Sequence, residues 1–159
     1  MPIVLWRIDN RLIHAQVVEG WVPSVDAGRV VVVSDEFAVD GSRKQMTACV
    51  APEGLAIEFL DMATATSRFN ELADDPLNTI LLFPAPQTAL AFISLLATRP
   101  RSINVGGMHY AMTLVTLGRF TDFSTQDKEA LTRIVGLGVK LDARSTPWDK
   151  SVDLAQNLK

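Results

Sequence analysis

The chain has 159 residues, of which 48% are hydrophobic, and a formal net charge of −3; this composition fits one globular domain with one core. Its interspersed charges and 7% aromatic content exclude the basic stripe and the base-stacking surface of a nucleic-acid-binding protein. No run approaches the roughly 18 apolar residues of a transmembrane helix, and the N-terminus predicts no signal peptide. Cys49 is the single cysteine, so disulfides are not expected. We therefore expect one domain, residues 1–159, in a reducing cytoplasm.

Short apolar runs recur along the chain and predict seven strands. Several of them are continuous runs of Val, Ile and Leu, which are typical of strands that are buried on both faces of a sheet. The predicted strands are Ile3–Ile8, Arg29–Ser34, Leu55–Leu60, Thr79–Phe83, Ser102–Val105, Phe120–Phe123 and Val139–Ala143.

Amphipathic segments lie between these runs and predict five helices. Ser124 and Asp127 form a Ser-x-x-acid box that indicates the start of the last helix. Pro86 suits the first turn of another helix, and Pro100 follows the end of that helix. For residues 149–159 we expect a short packing helix or a frayed tail. The predicted helices are Ile13–Trp21, Val39–Val50, Met62–Ala73, Gln87–Thr98 and Thr125–Gly136.

The alternation of strands and helices predicts the fold class. It favours an α/β fold with an open, doubly wound, mainly parallel sheet of about seven strands and helices on both faces. Ligands of such sheets bind outside the carboxyl ends of the strands. The loops of interest are therefore Asp9–Ile13, Asp35–Val39, Pro84–Pro86 and Gly106–Tyr110.

The first of these loops leads to His14, within the sequence RIDNRLIHAQVVEGW. A histidine that attacks phosphorus needs one exposed ring nitrogen, a partner for the other nitrogen, and groups that bind the phosphoryl charge. Arg7, Arg11 and backbone N–H groups at a helix start are suitable for that charge, and Asp9 could hold the imidazole tautomer or orient Arg11. The alternative is a solvent-facing histidine beside ordinary surface arginines, because a lone histidine is a weak indication of a site.

The second region of interest is the loop that begins with Gly106 and Gly107. Two adjacent glycines let a backbone approach an anion closely, although an ordinary turn has the same composition. His109 follows them and could bind phosphate or act as a general acid, or it could be a solvated loop histidine. The sequence has no dinucleotide fingerprint or P-loop, and its two histidines and one cysteine predict no metal site and no cofactor.

The segment VLWRIDNRLIHAQVVEGWV resembles the mannose/fructose/sorbose-type enzyme IIB subunits of the bacterial phosphoenolpyruvate:sugar phosphotransferase system. The family pattern there is approximately Arg-Ile-Asp-x-Arg-Leu-Ile-His-Gly-Gln-Val-x-x-x-Trp. RVVVVSDEFA (Arg29–Ala38) and INVGGM (Ile103–Met108) resemble further family segments in the same order, and residues 51–100 are the least distinctive. The matching positions of the first segment are Arg7, Ile8, Asp9, Arg11, Leu12, Ile13, His14, Gln16, Val17 and Trp21.

The resemblance implies a phosphohistidine carrier, a protein-N(π)-phosphohistidine–sugar phosphotransferase. His14 would accept a phosphoryl group from the EIIA component on Nδ1 and pass it to a sugar taken up through the membrane components EIIC and EIID. Arg11 would bind the phosphate, Asp9 would support the loop, and Gly106 and Gly107 would form a neighbouring wall. Association with the membrane would come only through these partners, and homo-oligomerisation stays open.

One position departs from the family pattern, and two other functions stay open. The family usually has glycine after the histidine, where this chain has Ala15; a helical position tolerates alanine, but a position that needs positive φ or close phosphate contact does not. A regulatory phosphorelay protein without a transport role would use the same His14. A histidine phosphatase or mutase would need a second catalytic histidine, for which His109 is the candidate.

Overall fold

A sheet of seven strands runs through the structure, a computed structural model that describes residues 2–107 and 123–158. The strands are β1 (Ile3–Asp9), β2 (Arg29–Val33), β3 (Ala56–Leu60), β4 (Thr79–Phe83), β5 (Ser102–Gly107), β6 (Lys140–Ala143) and β7 (Val152–Asp153). Their order across the sheet is β3-β2-β4-β1-β5-β6-β7. All neighbouring strands are parallel except β6 and β7, which are antiparallel. The predicted fold class is confirmed.

Seven helices connect the strands in the described part of the chain. Four of them begin at a Ser or Asp side chain that accepts a hydrogen bond from the backbone N–H three residues later, a common helix start. The helices are α1 (π-helical over Gln16–Trp21 and α-helical over Val22–Ser24), α2 (Asp35–Ala38), α3 (Gly41–Val50), α4 (Met62–Ser67), α5 (Phe69–Asp74), α6 (Pro86–Leu95) and α7 (Thr125–Gly136). A 3₁₀ turn follows at Leu154–Asn157.

Two apolar clusters cover the two faces of the sheet, as expected for a doubly wound fold. The larger cluster packs α4, α5, α6 and α7 against one face, with Phe83, Phe92 and Leu131 among its buried side chains. The smaller cluster lies on the other face and includes Leu12, Trp21 and residues of β2 and β4. The helix after β1 and the helices after β4 and β5 therefore lie on opposite faces. In such folds ligands bind where the connections of neighbouring strands leave on opposite faces, which places the expected site at the carboxyl end of β1.

Several predicted boundaries are corrected by the structure. The predicted helix Val39–Val50 begins two residues later, at Gly41, because the side chain of Asp40 accepts from the N–H of Arg43 and starts the helix there; the short helix Asp35–Ala38 precedes it. The predicted helix Met62–Ala73 is two helices, Met62–Ser67 and Phe69–Asp74, which are separated at Arg68. The predicted strand Phe120–Phe123 lies outside the described residues except for Phe123, which is in a bend.

The C-terminal segment supplies the seventh strand, which the sequence did not predict. Val152–Asp153 pairs antiparallel with β6, and Leu154 is fully buried against the larger cluster. No helix in the described part of the chain has the length and apolar character needed to cross a bilayer.

Candidate functional site

The loop between β1 and α1 makes a tight turn that carries His14. The N–H of Leu12 donates to the carbonyl of Asp9 at 3.0 Å, and Leu12 has φ +59°. A left-handed backbone costs a leucine about 1–2 kcal/mol. The Leu12 side chain offsets this cost because it is buried in the smaller apolar cluster. The turn thus holds His14 close to the end of β1.

The carboxylate of Asp9 is the centre of the site. It is fully buried and accepts hydrogen bonds from three side chains. Oδ2 accepts from Nη2 of Arg7 at 2.7 Å, from Nη2 of Arg11 at 3.0 Å and from Nε2 of His14 at 3.0 Å. Oδ1 accepts from Nε and from the backbone N–H of Arg11, at 3.0 Å and 3.1 Å. Two arginines and a histidine are therefore oriented by one buried anion.

The bond to Asp9 selects the tautomer of His14. Burial disfavours the charged form of Asp9, but hydrogen bonds from His14 and Arg11 and the charge of Arg7 outweigh burial and hold the pKa of Asp9 well below its usual range. The carboxylate is therefore ionised at neutral pH and can only accept. It follows that Nε2 of His14 carries the hydrogen, and that Nδ1 of the neutral ring has the free lone pair.

Asp9 should also make the free energy of unfolding depend on pH in the acidic range. A carboxylate whose pKa is lower in the folded state stabilises that state above its unfolded pKa of about 3.9, and this contribution is lost as the pH falls further. We expect the difference in unfolding free energy between the wild type and Asp9→Asn to be largest at neutral pH and to shrink below about pH 4. Urea unfolding at a series of pH values measures it. A difference that stays constant or grows on acidification would contradict a lowered pKa of Asp9 in the folded protein.

Arg11 lies at the edge of the site with 24% of its side chain exposed. Besides its paired bonds to Asp9, its Nη2 donates to Oε1 of Gln16 at 2.8 Å. Among the described residues, none accepts a hydrogen bond from its Nη1. The His14 side chain beside it is 18% exposed. One face of this pair therefore reaches the surface, while Asp9 holds the other face.

The first turn of α1 follows His14 directly. The carbonyl of His14 accepts from the N–H groups of Val17 and Val18, both at 3.0 Å. No side chain caps this helix start at Ala15, and within residues 2–107 and 123–158 the N–H groups of Ala15 and Gln16 have no acceptor. Ala15 is exposed with φ −51° and ψ −43°, an ordinary right-handed helical conformation that alanine adopts without strain. The replacement of glycine by Ala15 therefore requires no backbone change.

The sequence suggests Arg7 as a group that binds the phosphoryl charge, but the structure places it elsewhere. It lies beneath the site with no exposed surface, so its guanidinium is closed off from any phosphoryl group at the surface. Its Nη1 donates to Oδ1 of Asn104 and, at 3.1 Å, to the carbonyl of Arg144; its Nη2 donates to the carbonyl of Ser145 at 3.1 Å. Arg7 thus links β1 to β5 and to the two residues that follow β6.

The two glycines lie at the end of β5, next to the end of β1. Asp9 pairs with Gly107 in the sheet, and the carbonyl of Gly107 accepts from the N–H of Asn10 at 3.2 Å. The space where Gly106 would carry a Cβ is filled by the guanidinium of Arg7. A phosphate-binding role of these glycines stays a prediction, and His109 lies outside the described residues. Within residues 2–107 and 123–158, no three metal-ligating side chains gather.

Sequence reasoning missed the partners of Arg7, although part of the signal was present. Arg7 and Asp9 are two apart in a strand, so their side chains point to the same face of the sheet. The sequence identifies Trp21 only as a matching position of the family pattern; in the structure its Nε1 donates to the carbonyl of Ser145 at 3.0 Å, and its ring centroid lies 5.4 Å from Cζ of Arg7. No local pattern indicated the contribution of Asn104.

The sequence is similar to known proteins along its whole length. Residues 3–159 match the family model described as "PTS system sorbose subfamily IIB component". The PTS system fructose-specific EIIB component of Bacillus subtilis (strain 168) is 32% identical over 160 residues, which cover 100% of this chain and 97% of that protein. The PTS system mannose-specific EIIAB component of Escherichia coli (strain K12) is 31% identical over 99% of this chain. The match covers 50% of that protein, so the chain spans about half its length.

Solved structures share the fold. The IIBSor domain of the sorbose permease from Klebsiella pneumoniae has a TM-score of 0.82 and 26% identity, over 99% of this chain and 96% of that one. A structure described as a phosphoenolpyruvate-dependent phosphotransferase system has a TM-score of 0.81 and 31% identity, over 99% and 98% of the two chains.

Proposed function

Because the chain belongs to the sorbose-type IIB family of sugar phosphotransferase systems, we propose that His14 carries a phosphoryl group between two partners. The donor is the phosphohistidine of an EIIA component, and the acceptor is a sugar bound by the membrane components EIIC and EIID. Residues 1–159 form one EIIB domain in this proposal. The observation that carries it is the bond from Nε2 of His14 to the buried Asp9 carboxylate, which leaves Nδ1 as the nucleophile.

The transfer itself needs little from the protein beyond orientation. The lone pair of Nδ1 attacks phosphorus in line with the donor N–P bond, which breaks as the new N–P bond forms. The ring of His14 keeps its hydrogen on Nε2 and gains positive charge. The Asp9 oxygen 3.0 Å from Nε2 stabilises that charge. For transfer to the sugar, the sugar hydroxyl attacks phosphorus as the N–P bond of His14 breaks; the electrons of that bond return to Nδ1, and the hydroxyl proton passes to water or to a base of the sugar-binding component.

Groups around His14 are suited to the negative charge of the phosphoryl oxygens. The transition state of phosphoryl transfer is loose, so charge stabilisation and positioning dominate its catalysis. Arg11 is held beside the ring by its paired bonds to Asp9, and its Nη1 is available for an oxygen. The N–H groups of Ala15 and Gln16 at the start of α1, which no side chain caps, supply further donors.

The surface beside Arg11 suits a partner that binds and leaves. A cavity of about 280 Å³ lies between α3 and the loop that joins β1 to α1, and Arg11 of that loop is one of its lining residues. On α3, Met46 and Val50 line the same cavity and are 72% and 59% exposed. Exposed apolar side chains next to a charged group are typical of protein interaction sites. We assign this surface of Arg11, Met46 and Val50, here called the docking rim, to contact first with EIIA and then with the membrane components.

A reconstituted relay tests the proposed function. The purified chain is incubated with radiolabelled phosphoenolpyruvate, enzyme I, HPr and candidate EIIA proteins. One acid-labile phosphate per chain, formed only when an EIIA is present, is the expected result. Label that appears without EIIA, or no label with any EIIA of a mannose, fructose or sorbose system, would contradict the proposal.

Replacing Arg11 should slow transfer more than replacing His109. Arg11→Ala removes the guanidinium that faces the phosphoryl oxygens, and we expect the transfer rate to fall by about 100-fold or more. His109→Ala should cause a much smaller loss. A time course of labelling, quenched at successive times, compares the transfer rates of the two variants. Arg133→Ala on α7 is the control for loss of a surface charge. Equal losses, or a larger loss for His109→Ala, would reverse the assignment.

A further inference from the structure

The guanidinium of Arg7 is enclosed by fixed partners on several sides. Its Nη1 and Nη2 together donate four hydrogen bonds, two to side chains and two to the backbone carbonyls of Arg144 and Ser145. The indole ring of Trp21 lies against it, 5.4 Å from Cζ. Since Arg7 has no exposed surface, any contribution to phosphoryl transfer must act through the residues that it holds.

One of these partners is the residue that orients His14. Nη2 of Arg7 donates to Oδ2 of Asp9 at 2.7 Å, and the same oxygen accepts from Nε2 of His14 at 3.0 Å. Burial lowers the pKa of Arg7, while the charge and the hydrogen bond of Asp9 oppose that effect. A displacement of the guanidinium would therefore move the oxygen that sets the tautomer and direction of the imidazole.

The guanidinium has room only because residue 106 is glycine. A Cβ at Gly106 would lie 1.9 Å from both Cζ and Nη2 of Arg7, and 2.4 Å from Nη1. These distances are far below any van der Waals contact, so a methyl group and the guanidinium cannot occupy this place together. Gly106 is thus needed for a close approach to Arg7, and no φ value has to be invoked.

We propose that Arg7 is the positioning residue of the phosphoryl-transfer site and that glycine is required at position 106 to seat its guanidinium. The proposal rests on the proposed function, and it gives Gly106 a role different from direct contact with phosphate. Arg7 holds the Asp9 carboxylate, the carboxylate holds Nε2 of His14, and Nδ1 is thereby presented to the phosphorus.

Gly106→Ala tests the proposal in the relay of enzyme I, HPr, EIIA and this chain. We expect the maximal transfer rate to fall by about 10- to 100-fold, because a displacement near 1 Å can cost two orders of magnitude. The EIIA concentration for half-maximal rate should stay unchanged, since the docking rim is intact. Gly136→Ala is the matched control, because a Cβ there meets nothing within 4 Å. An unchanged rate in folded Gly106→Ala would overturn the proposal.

A double variant separates seating of Arg7 from direct phosphate contact. Arg7→Lys retains the buried charge but lacks the planar fork that serves four acceptors at once. If Gly106→Ala acts by displacing the guanidinium, it should add little once the guanidinium is gone. The double variant should transfer within about threefold of Arg7→Lys alone. Losses that multiply would instead assign Gly106 to the phosphate and overturn the proposal.

The tautomer of His14 supplies a measurement that does not depend on transfer. Nitrogen-15 NMR of the unphosphorylated protein should find the ring hydrogen on Nε2 in the wild type. In Gly106→Ala and in Arg7→Lys a substantial population should move to Nδ1. If the wild type accepts phosphate from no EIIA, the proposed function fails while this test still decides the role of Arg7. Should Gly106→Ala not fold, Arg7→Lys carries the test, and an unchanged tautomer in a folded variant contradicts the positioning role.

Discussion

His14→Ala is expected to abolish phosphorylation of this chain in the complete relay. The variant lacks the nucleophile that the proposed mechanism requires, and no second group in the described site could replace it. The expected loss is complete within the detection limit of the labelling assay. The measurement is acid-labile label on the chain after incubation with phosphoenolpyruvate, enzyme I, HPr and EIIA.

The same substitution should leave the fold intact, which makes the result interpretable. His14 is partly exposed and its side chain bonds only to Asp9 within the described residues. Loss of one such hydrogen bond costs about 1 kcal/mol of unfolding free energy, and thermal unfolding monitors it. His109→Ala is the matched control and should still accept phosphate. Label that persists in His14→Ala, or disappears in His109→Ala, would assign the phosphoryl group to another residue.

Asp9→Asn should cause the second largest loss. The amide keeps the shape of the side chain but removes the charge that stabilises the imidazolium formed during transfer. Its NH₂ group could also donate to Nε2 and thereby favour the wrong tautomer of His14. Removal of an orienting carboxylate from a catalytic histidine typically costs at least about 100-fold. We expect a loss of this size in the maximal rate of transfer from EIIA.

Stability has to be followed in parallel, because Asp9→Asn leaves the buried Arg7 without its counter-charge. Breaking a buried ion pair typically costs about 3–5 kcal/mol. Asp75→Asn is the control, since it breaks the ion pair of Asp75 with Arg29, 2.8 Å long and remote from the site. A folded Asp9→Asn that transfers at the rate of Asp75→Asn would contradict the role of Asp9. Rate and folded fraction are measured on the same preparations.

Much of the sheet could be predicted because its central strands carry a strong local signal. Continuous apolar runs such as residues 30–33 and 80–83 are buried on both faces, and apolar residues are needed at every position of such runs. Strand β7 has only two residues and forms because β6 offers an unpaired edge. That pairing depends on the folded sheet, and no sequence window of this length could indicate it.

The candidate site likewise has a part that the local sequence predicts and a part that depends on contacts between residues distant in the chain. His14, Asp9 and Arg11 lie within six residues of one turn, so their proximity could be predicted from the loop position at a strand end. The burial of Arg7 could not, because arginine is usually exposed and, apart from Asp9, its hydrogen-bond partners lie 97 to 138 positions away in the chain. The sequence suggested a phosphate ligand where the structure has a buried ion pair.

The most direct test of the proposed mechanism is the identity of the phosphorylated nitrogen. The chain is labelled with nitrogen-15 at histidine, phosphorylated through the relay, and measured by long-range proton–nitrogen NMR and phosphorus NMR. We expect one phosphoryl group, bonded to Nδ1 of His14, with the ring hydrogen on Nε2 beside Asp9. Phosphate on Nε2 of His14, or on any other residue, would contradict the mechanism.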